Sequence, residues 1–293
     1  LKSGLIAAGA AATPAFGQGA ARTERWGVHE LAFEGPQTGN PFDDVRIAAV
    51  FKGAGRTIRV PGFYDGKGVY RIRFSPPDLG KWSWETESSV TEMAHKRGSF
   101  ECVAPSTGNH GPVRVTQDGY HFAYADGTPF RQVGTTCYSW ALQSDAKCAQ
   151  TLETLKTAPF NKMRMLVTPN VESVATNPYV RTGKEPRDWD PTRFDPDYFR
   201  RYEDRILRLG ALGIEADVIL YHPYDEKRGY NDMKRADDER FVRYCAARWG
   251  AYRHVWWSMA NEYDAVKTKS MDDWDHLFQV LVAADPHDRL RSI

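Results

Sequence analysis

Between residues 22 and about 104, apolar and polar residues alternate over short runs that Gly, Pro and Asp residues separate. Alternation of this kind is typical of half-buried β-strands, and none of the runs has the 3.6-residue period of a helix. The clearest are VRIAAVF (45–51), TIRVPGFY (57–64), GVYRIRFS (68–75) and KWSWETES (81–88). Asp65-Gly66 predicts a hairpin turn between two of them. We therefore expect a β-sandwich over residues 22–104.

Residues 105–130 are predicted to form a linker followed by a small β-cap. The stretch APSTGNHGP (104–112) is rich in residues that interrupt regular structure. After it, Asp118-Gly119 and Asp126-Gly127 mark two tight turns between short strands.

After residue 131 the pattern changes to strands that alternate with helices. Near-continuous apolar runs predict strands at 130–138, 160–170, 214–223 and 254–264. Amphipathic runs predict helices at 146–158, 196–213, 238–250 and 270–286, the last capped by Ser270. A long loop is expected over 171–195. Four such units indicate a parallel sheet covered by helices on both faces.

An open doubly wound sheet and a β/α barrel both fit this order of elements. No phosphate-binding glycine pattern follows the first strand. The strand ends instead carry polar or aromatic residues, as expected where a barrel holds its chemistry. These residues are Tyr138, Trp140, Arg164, His222, Tyr224, Asp225, Asn261 and Glu262. We therefore expect the first half of a (β/α)8 TIM barrel over residues 131–293.

The amino-acid composition makes some classes of partner less plausible than others. Lys plus Arg total 39 and Asp plus Glu 38, so no strong field favours nucleic acid or an anionic membrane as a partner. Aromatic residues make up 13% of the chain. Most should be core, but rings at the mouth of a cleft suit sugars. The four cysteines match neither a zinc site nor a redox pair, and a Cys137–Cys148 disulfide or free thiols remain open.

The first 21 residues resemble the second half of a secretory signal. An apolar run over 5–12 is followed by Pro14 and small residues. The run is too short to cross a bilayer. We expect export to the periplasm or the medium; the alternative is an unstructured Ala/Gly tail. The sequence leaves the oligomeric state open.

The pair Asn261-Glu262 at the end of the fourth strand is the strongest chemical signal. We expect Trp256, Trp257 and Tyr263 to surround the carboxyl group and raise its pKa toward that of a general acid. Such a group can protonate a departing glycosidic oxygen, and the amide can bind a neighbouring sugar hydroxyl. The alternative is that Glu262 begins a loop and forms a surface ion pair.

WWSMANEYD (256–264) resembles the fourth strand of the large clan of retaining glycoside hydrolases with β/α-barrel catalytic domains. The stretches GTTCYSW (134–140), FNKMRMLVTPN (160–170) and GIEADVILYHPYD (213–225) are similar to the first three strands of a bacterial subgroup. Residues 63–86 resemble the immunoglobulin-like domain of unknown function that precedes the barrel there. The likeness covers about residues 22–293.

The resemblance implies hydrolysis of an O-glycosidic bond in a carbohydrate, with no metal and no organic cofactor. It assigns Glu262 as acid/base and Asn261 as the amide that contacts the sugar. Arg164 matches an arginine that supports the nucleophile, although an internal salt bridge is an equal alternative. His222 matches a subsite position or a supporting histidine. By position alone, four further residues are candidates for the wall of the substrate cleft: Tyr138, Trp140, Asp225 and Tyr263.

The clan's nucleophile lies at the end of a seventh strand, so we expect it beyond residue 293 and expect the fragment to be inactive. Two other functions remain open. One is a non-catalytic carbohydrate-binding or surface protein with a degenerate barrel. The other is a metal-dependent barrel hydrolase that uses His222, Asp225 and Glu262.

Overall fold

The computed structural model describes residues 21–170, 176–225 and 227–293. Most of the predicted signal segment, residues 1–20, and the first part of the predicted long loop, residues 171–175, lie outside the described residues. No helix in the described part of the chain is long and apolar enough to span a membrane.

The N-terminal region is a β-domain built on a seven-stranded sheet in the order β1-β7-β6-β3-β4-β5-β2. Alternating residues of these strands point inward, where Phe51 and Phe74 stack with ring centroids 4.2 Å apart and Trp82 is fully buried. The strands are β1 (Ala21–Glu24), β2 (His29–Glu34), β3 (Ile47–Gly53), β4 (Arg56–Tyr64), β5 (Val69–Phe74), β6 (Gly80–Ser88) and β7 (Arg97–Val103).

The predicted hairpin at Asp65-Gly66 is confirmed. Strands β4 and β5 pair antiparallel, and Gly66 has φ 87°. Lys67 and Gly68 also have positive φ, so three consecutive residues of the turn adopt a left-handed conformation. Helix α1 (Pro41–Asp44) was not predicted, because a helix of one turn is too short to show a hydrophobic period.

The predicted β-cap is also present. Strands β8 (Val113–Val115), β9 (Phe122–Tyr124) and β10 (Pro129–Phe130) form a three-stranded antiparallel sheet. Gly119 and Gly127 occupy the two turns with φ 78° and 92°. The region around Phe130 therefore belongs to the cap, and only the later part of the predicted strand 130–138 joins the next sheet.

The C-terminal region contains β11 (Gly134–Thr136), β12 (Lys162–Leu166), β13 (Tyr179–Arg181), β14 (Trp189–Phe194), β15 (Glu215–Tyr221), β16 (Val255–Ala260) and β17 (Arg291–Ser292). All of these except β13 and β14 form one five-stranded sheet in chain order, with every pair parallel. Its helices are α2 (Asp145–Leu155), α3 (Pro196–Ala211), α4 (Arg235–Trp249) and α5 (Met271–Ala284). Each of the four helices predicted after residue 131 is present, with bounds within a few residues.

Strands β13 and β14 lie within the segment predicted to be a long loop, and that prediction is wrong for residues 179–181 and 189–194. The two strands pair antiparallel. Tyr179 and Trp189 stack with ring centroids 4.7 Å apart, and Tyr179 is buried. Strand β13, of three residues, is too short for alternation to be visible in the sequence. Strand β14 has six residues, but Pro191 interrupts its pattern.

The two faces of the five-stranded sheet differ in chemistry. Alternate residues such as Met165, Val218 and Trp257 pack in one large core with residues of helices α2 to α5. The opposite face carries charged side chains, including Arg164 and Asp217, which are register partners. Toward the start of the strands the β-cap covers this second face, where Phe122 and Phe130 contact Trp256.

Candidate active site at the strand ends

Two tyrosines hold Asn261 at the carboxyl end of the parallel sheet. The Tyr138 hydroxyl, which follows β11, donates to Asn261 Oδ1 at 2.9 Å. Asn261 Nδ2 donates to the Tyr224 hydroxyl, which follows β15, at 2.6 Å. Asn261 is 6% exposed, so the orientation of its amide is fixed by these partners rather than by water. The structure thus brings together residues that follow three different strands.

Glu262 lies next to this amide in a left-handed backbone conformation. Its φ is 50° and its ψ is 53°. A non-glycine residue in this region costs on the order of 1 kcal/mol and persists only where the surroundings enforce it. The side chain is exposed on the rim, and its carboxylate is close enough to the Tyr224 hydroxyl to influence the pKa of that phenol. Since Tyr224 accepts from Asn261, its own hydroxyl hydrogen is available for Glu262.

Tyr224 therefore connects the amide and the carboxylate. Burial raises its pKa well above the ordinary value, and the hydrogen bonds with Glu262 and Tyr138 raise it further. The phenol consequently stays protonated at any physiological pH. A protonated phenol remains a hydrogen-bond donor to the neighbouring carboxylate.

The predicted apolar enclosure of Glu262 by Trp256 and Trp257 is wrong. Trp256 packs against the β-cap, and Trp257 donates its indole N–H to Asp285 at 3.0 Å on the helix side. Because a strand rises about 3.3 Å per residue, these two residues lie roughly 10–13 Å before the strand end at Ala260. Of the three aromatic residues, half-buried Tyr263 alone adjoins Glu262 in the chain.

His222 braces the end of β15. Its Nδ1 accepts the N–H of Tyr224 at 3.2 Å. This requires the tautomer in which Nε2 carries the hydrogen, and Nε2 lies 3.0 Å from the carbonyl oxygen and 2.9 Å from the hydroxyl of Thr168. Burial lowers the pKa of His222 to about 4. The ring is therefore neutral near pH 7 and supports Tyr224, with which it stacks at 5.5 Å.

Arg164 lies in the middle of β12 rather than at its end. Its Nε is 3.5 Å from Asp217 Oδ2, and its Nη2 donates to Ser258 at 3.2 Å. Lys162 Nζ is 2.6 Å from the same Asp217 oxygen. The internal salt bridge that the sequence left open for Arg164 is thus present. The guanidinium remains one-third exposed on the face of the sheet that does not contact the helices.

The contacts of Trp140 and Asp225 do not support a wall role for either residue. Trp140 is 5% exposed within the core, where its indole N–H donates to the Cys148 carbonyl at 3.4 Å. The Asp225 carboxylate accepts the backbone N–H groups of Arg228 and Tyr230 at 3.2 Å each and so closes a loop. Burial raises the pKa of Asp225.

Sequence reasoning noted Tyr224 at a strand end but gave it no role, and it overlooked Thr168. Tyr224 connects Asn261, Glu262 and His222, while Thr168 fixes the imidazole. A signal for Tyr224 was its position two residues after His222, directly beyond a buried strand. Among the described residues, no group of three or more His, Cys, Asp or Glu side chains is arranged to hold a metal ion.

Two family models match the chain. One is a domain of unknown function (DUF5060), over residues 22–89. The other is described as the apiosidase-like catalytic domain and matches residues 116–292. No curated protein matches.

Solved structures are also similar to the chain. A crystal structure of a provisionally named glycoside hydrolase from Bacteroides vulgatus is 40% identical, with a TM-score of 0.90. The match covers 93% of this chain and 56% of that protein, so the chain spans little more than half its length. A family 5 glycoside hydrolase from the same organism is 17% identical over 62% of this chain and 39% of its own, with a TM-score of 0.48.

Proposed function

Since the chain belongs to the apiosidase-like family of glycoside hydrolase catalytic domains, we propose that it supplies the general acid/base of an enzyme that hydrolyses O-glycosidic bonds. The substrate class is an oligosaccharide or polysaccharide. The activity is that of the complete protein, and this chain contributes Glu262 and the groups around it.

The observation that carries the proposal is the left-handed backbone at Glu262, directly after a buried parallel strand. Strain of this kind is concentrated at functional sites. Here it places an exposed carboxyl group beside an amide that is held in one orientation by Tyr138 and Tyr224. An exposed loop carboxylate without a role would need none of these supports.

The residues have complementary roles in a double displacement. Protonated Glu262 gives its proton to the glycosidic oxygen as the bond from that oxygen to the anomeric carbon breaks. The Tyr224 hydroxyl stabilises the carboxylate that remains. A second carboxylate bonds to the anomeric carbon in this step, and in the next step the Glu262 carboxylate takes a proton from the water that displaces it. Asn261 Nδ2 carries a second N–H besides the one given to Tyr224, and we assign this hydrogen to a sugar hydroxyl next to the anomeric carbon.

Retention of configuration requires a second carboxylate about 5–5.5 Å from the first. None of the described residues is assigned this role. We place Arg164 as a support for that nucleophile, because its guanidinium lies one-third exposed on the sheet face that the helices leave free.

We propose that residues 131–293 form the first half of a TIM barrel. Five adjacent parallel strands in chain order, with no reversal, support a barrel over a doubly wound sheet. Residues 22–104 are proposed to be an immunoglobulin-like sandwich that braces the barrel, with residues 105–130 as linker and cap. We also propose that residues 1–21 are part of a signal segment that directs export of the protein.

The test is Glu262→Gln in the complete protein, assayed on two substrates with the same sugar. We expect a loss of about 10²–10⁴-fold in turnover of a substrate with a poor leaving group. A substrate with an activated leaving group should lose much less, because its departure hardly needs the proton. Asp264→Asn is the matched control, an exposed acid two residues away, and should retain activity.

Equal losses on the two substrates would contradict the role of Glu262 as acid. If the unaltered complete protein binds carbohydrate but hydrolyses no glycoside, the non-catalytic alternative replaces the proposal.

A further inference from the structure

Residues 261–269, termed here the Glu262 loop, connect β16 to α5. The loop begins at a fixed point, because the Asn261 N–H donates to the Tyr221 carbonyl at 2.9 Å. Val266 is buried in the core, but Glu262, Asp264, Lys267 and Thr268 are exposed. A loop of this length needs a second anchor to hold one conformation.

The second anchor is a buried ion pair at the other end of the loop. Lys269 Nζ lies 2.5 Å from Asp238 Oδ2, and the two side chains are 3% and 6% exposed. The other carboxylate oxygen of Asp238 accepts the hydroxyl of Tyr221 at 2.9 Å. Tyr221 is also the residue whose carbonyl holds Asn261. Asp238 therefore connects the beginning and the end of the Glu262 loop through one side chain.

A second contact, between uncharged groups, also holds this end of the loop. The Thr268 hydroxyl donates to the Asn231 carbonyl at 2.8 Å, and Asn231 Nδ2 donates to the His222 carbonyl at 2.6 Å. The loop is thereby connected to the segment that carries His222 and Tyr224. Thr268 is exposed and its contact is open to water, whereas the ion pair is not.

We infer that Asp238 and Lys269 are positioning residues for Glu262, and this inference rests on the proposed function. The pair fixes the far end of the loop, and this restraint keeps the Glu262 backbone in the left-handed region instead of relaxing to a common conformation. Neither residue touches substrate. Their effect is on where the carboxyl group lies when the proton is transferred, for which a displacement of about 1 Å is costly.

The test uses two substitutions of Lys269 in the complete protein. Lys269→Met keeps the length of the side chain and removes the cation. Lys269→Arg keeps the charge, and a cavity of about 70 Å³ that adjoins Lys269 and Asp238 gives the larger group room. Asp238→Asn is a second variant that preserves shape, in case the Met variant does not fold. Lys156→Met is the control, since Lys156 forms an exposed pair with Glu153.

The first readout is hydrogen exchange and does not depend on activity. The Ala265 N–H donates to the Glu262 carbonyl at 2.9 Å and the Val266 N–H to Tyr263 at 3.2 Å. We expect both amides to exchange about tenfold faster in Lys269→Met and Asp238→Asn. Lys269→Arg and Lys156→Met should match the unaltered protein. Unchanged exchange in the Met and Asn variants would overturn the inference.

The second readout is the split between kcat and KM on the two substrates described for Glu262. In Lys269→Met and Asp238→Asn we expect kcat on the substrate with the poor leaving group to fall about tenfold or more, with KM nearly unchanged. Lys269→Arg should keep the kcat of the unaltered protein. Equal loss on both substrates would overturn the positioning role even if exchange accelerates. If the unaltered protein hydrolyses neither substrate, the proposed function fails, while the exchange result still decides whether the pair orders the loop.

Discussion

A buried cluster of charged side chains joins the β-domain to helices α3 and α4. The first prediction concerns its contribution to the free energy of unfolding. Glu203 accepts two hydrogen bonds from Arg73, at 2.7 and 2.8 Å, and also lies 2.8 Å from Arg248 Nε. Arg248 in turn lies 2.8 Å from Asp65 in the β4–β5 turn. The side chains of Arg73 and Arg248 are 5% and 0% exposed. Water therefore cannot replace a lost carboxylate here.

The perturbation is Glu203→Gln, which keeps the shape and removes the charge. The guanidinium groups of Arg73 and Arg248 then remain buried without the Glu203 carboxylate that both of them contact. Removing one partner of a buried ion pair typically costs about 3–5 kcal/mol in the free energy of unfolding. The control is Glu87→Gln, whose partner Arg59 is 62% exposed while Glu87 itself is 50% exposed. Exposed pairs contribute about 0–1 kcal/mol.

The assay is urea unfolding of the purified protein, followed separately by tryptophan fluorescence and far-ultraviolet circular dichroism. We expect Glu203→Gln to lower the midpoint strongly and Glu87→Gln to leave it nearly unchanged. The two probes should diverge in the Glu203 variant if the β-domain separates before the C-terminal region unfolds. A destabilisation by Glu203→Gln no larger than that by Glu87→Gln would refute the view that these charges hold the two regions together.

Two further predictions concern stability. Ser270→Ala should cost about 1 kcal/mol in thermal unfolding, because Ser270 and Asp273 form a complete capping box at the start of α5; an unchanged melting temperature would contradict this. Burial raises the pKa of Glu215 from 4.5 to about 7, so the native protein retains a proton that the unfolded chain has lost. The free energy of unfolding should therefore fall, by at most about 3 kcal/mol, as pH rises from about 4.5 through 7. Glu215→Gln should flatten this decline, and a decline of the same size in that variant would exclude Glu215 as its source.

The sequence specified the elements and much of their order. The alternating runs became β3 to β6, and the apolar runs after residue 131 became β12, β15 and β16. The capping role of Ser270 and the turn at Gly66 were also predicted correctly. These features depend on periodicity and on turn chemistry, and both are properties of neighbouring residues.

The environment of Glu262 was predicted less well. The sequence placed the residue at the end of a strand, and the structure agrees. The expected wall of Trp256 and Trp257 is not present, because residues adjacent in a strand point to opposite faces, and these two lie three and four residues before the strand end. Tyr138 and Tyr224, which hold Asn261, come from segments 123 and 37 residues away from it in the chain.

The sequence by itself determined where most of the strands, helices and turns lie and that a carboxyl group follows a buried strand, because these depend on local patterns that short stretches carry. The tertiary structure alone decided which side chains meet: the tyrosines at Asn261, the Asp238–Lys269 pair behind the Glu262 loop, and Glu203 between two buried arginines. The physical reason is that such contacts depend on the packing of segments distant in the chain. Burial then determines how strongly each charge interacts.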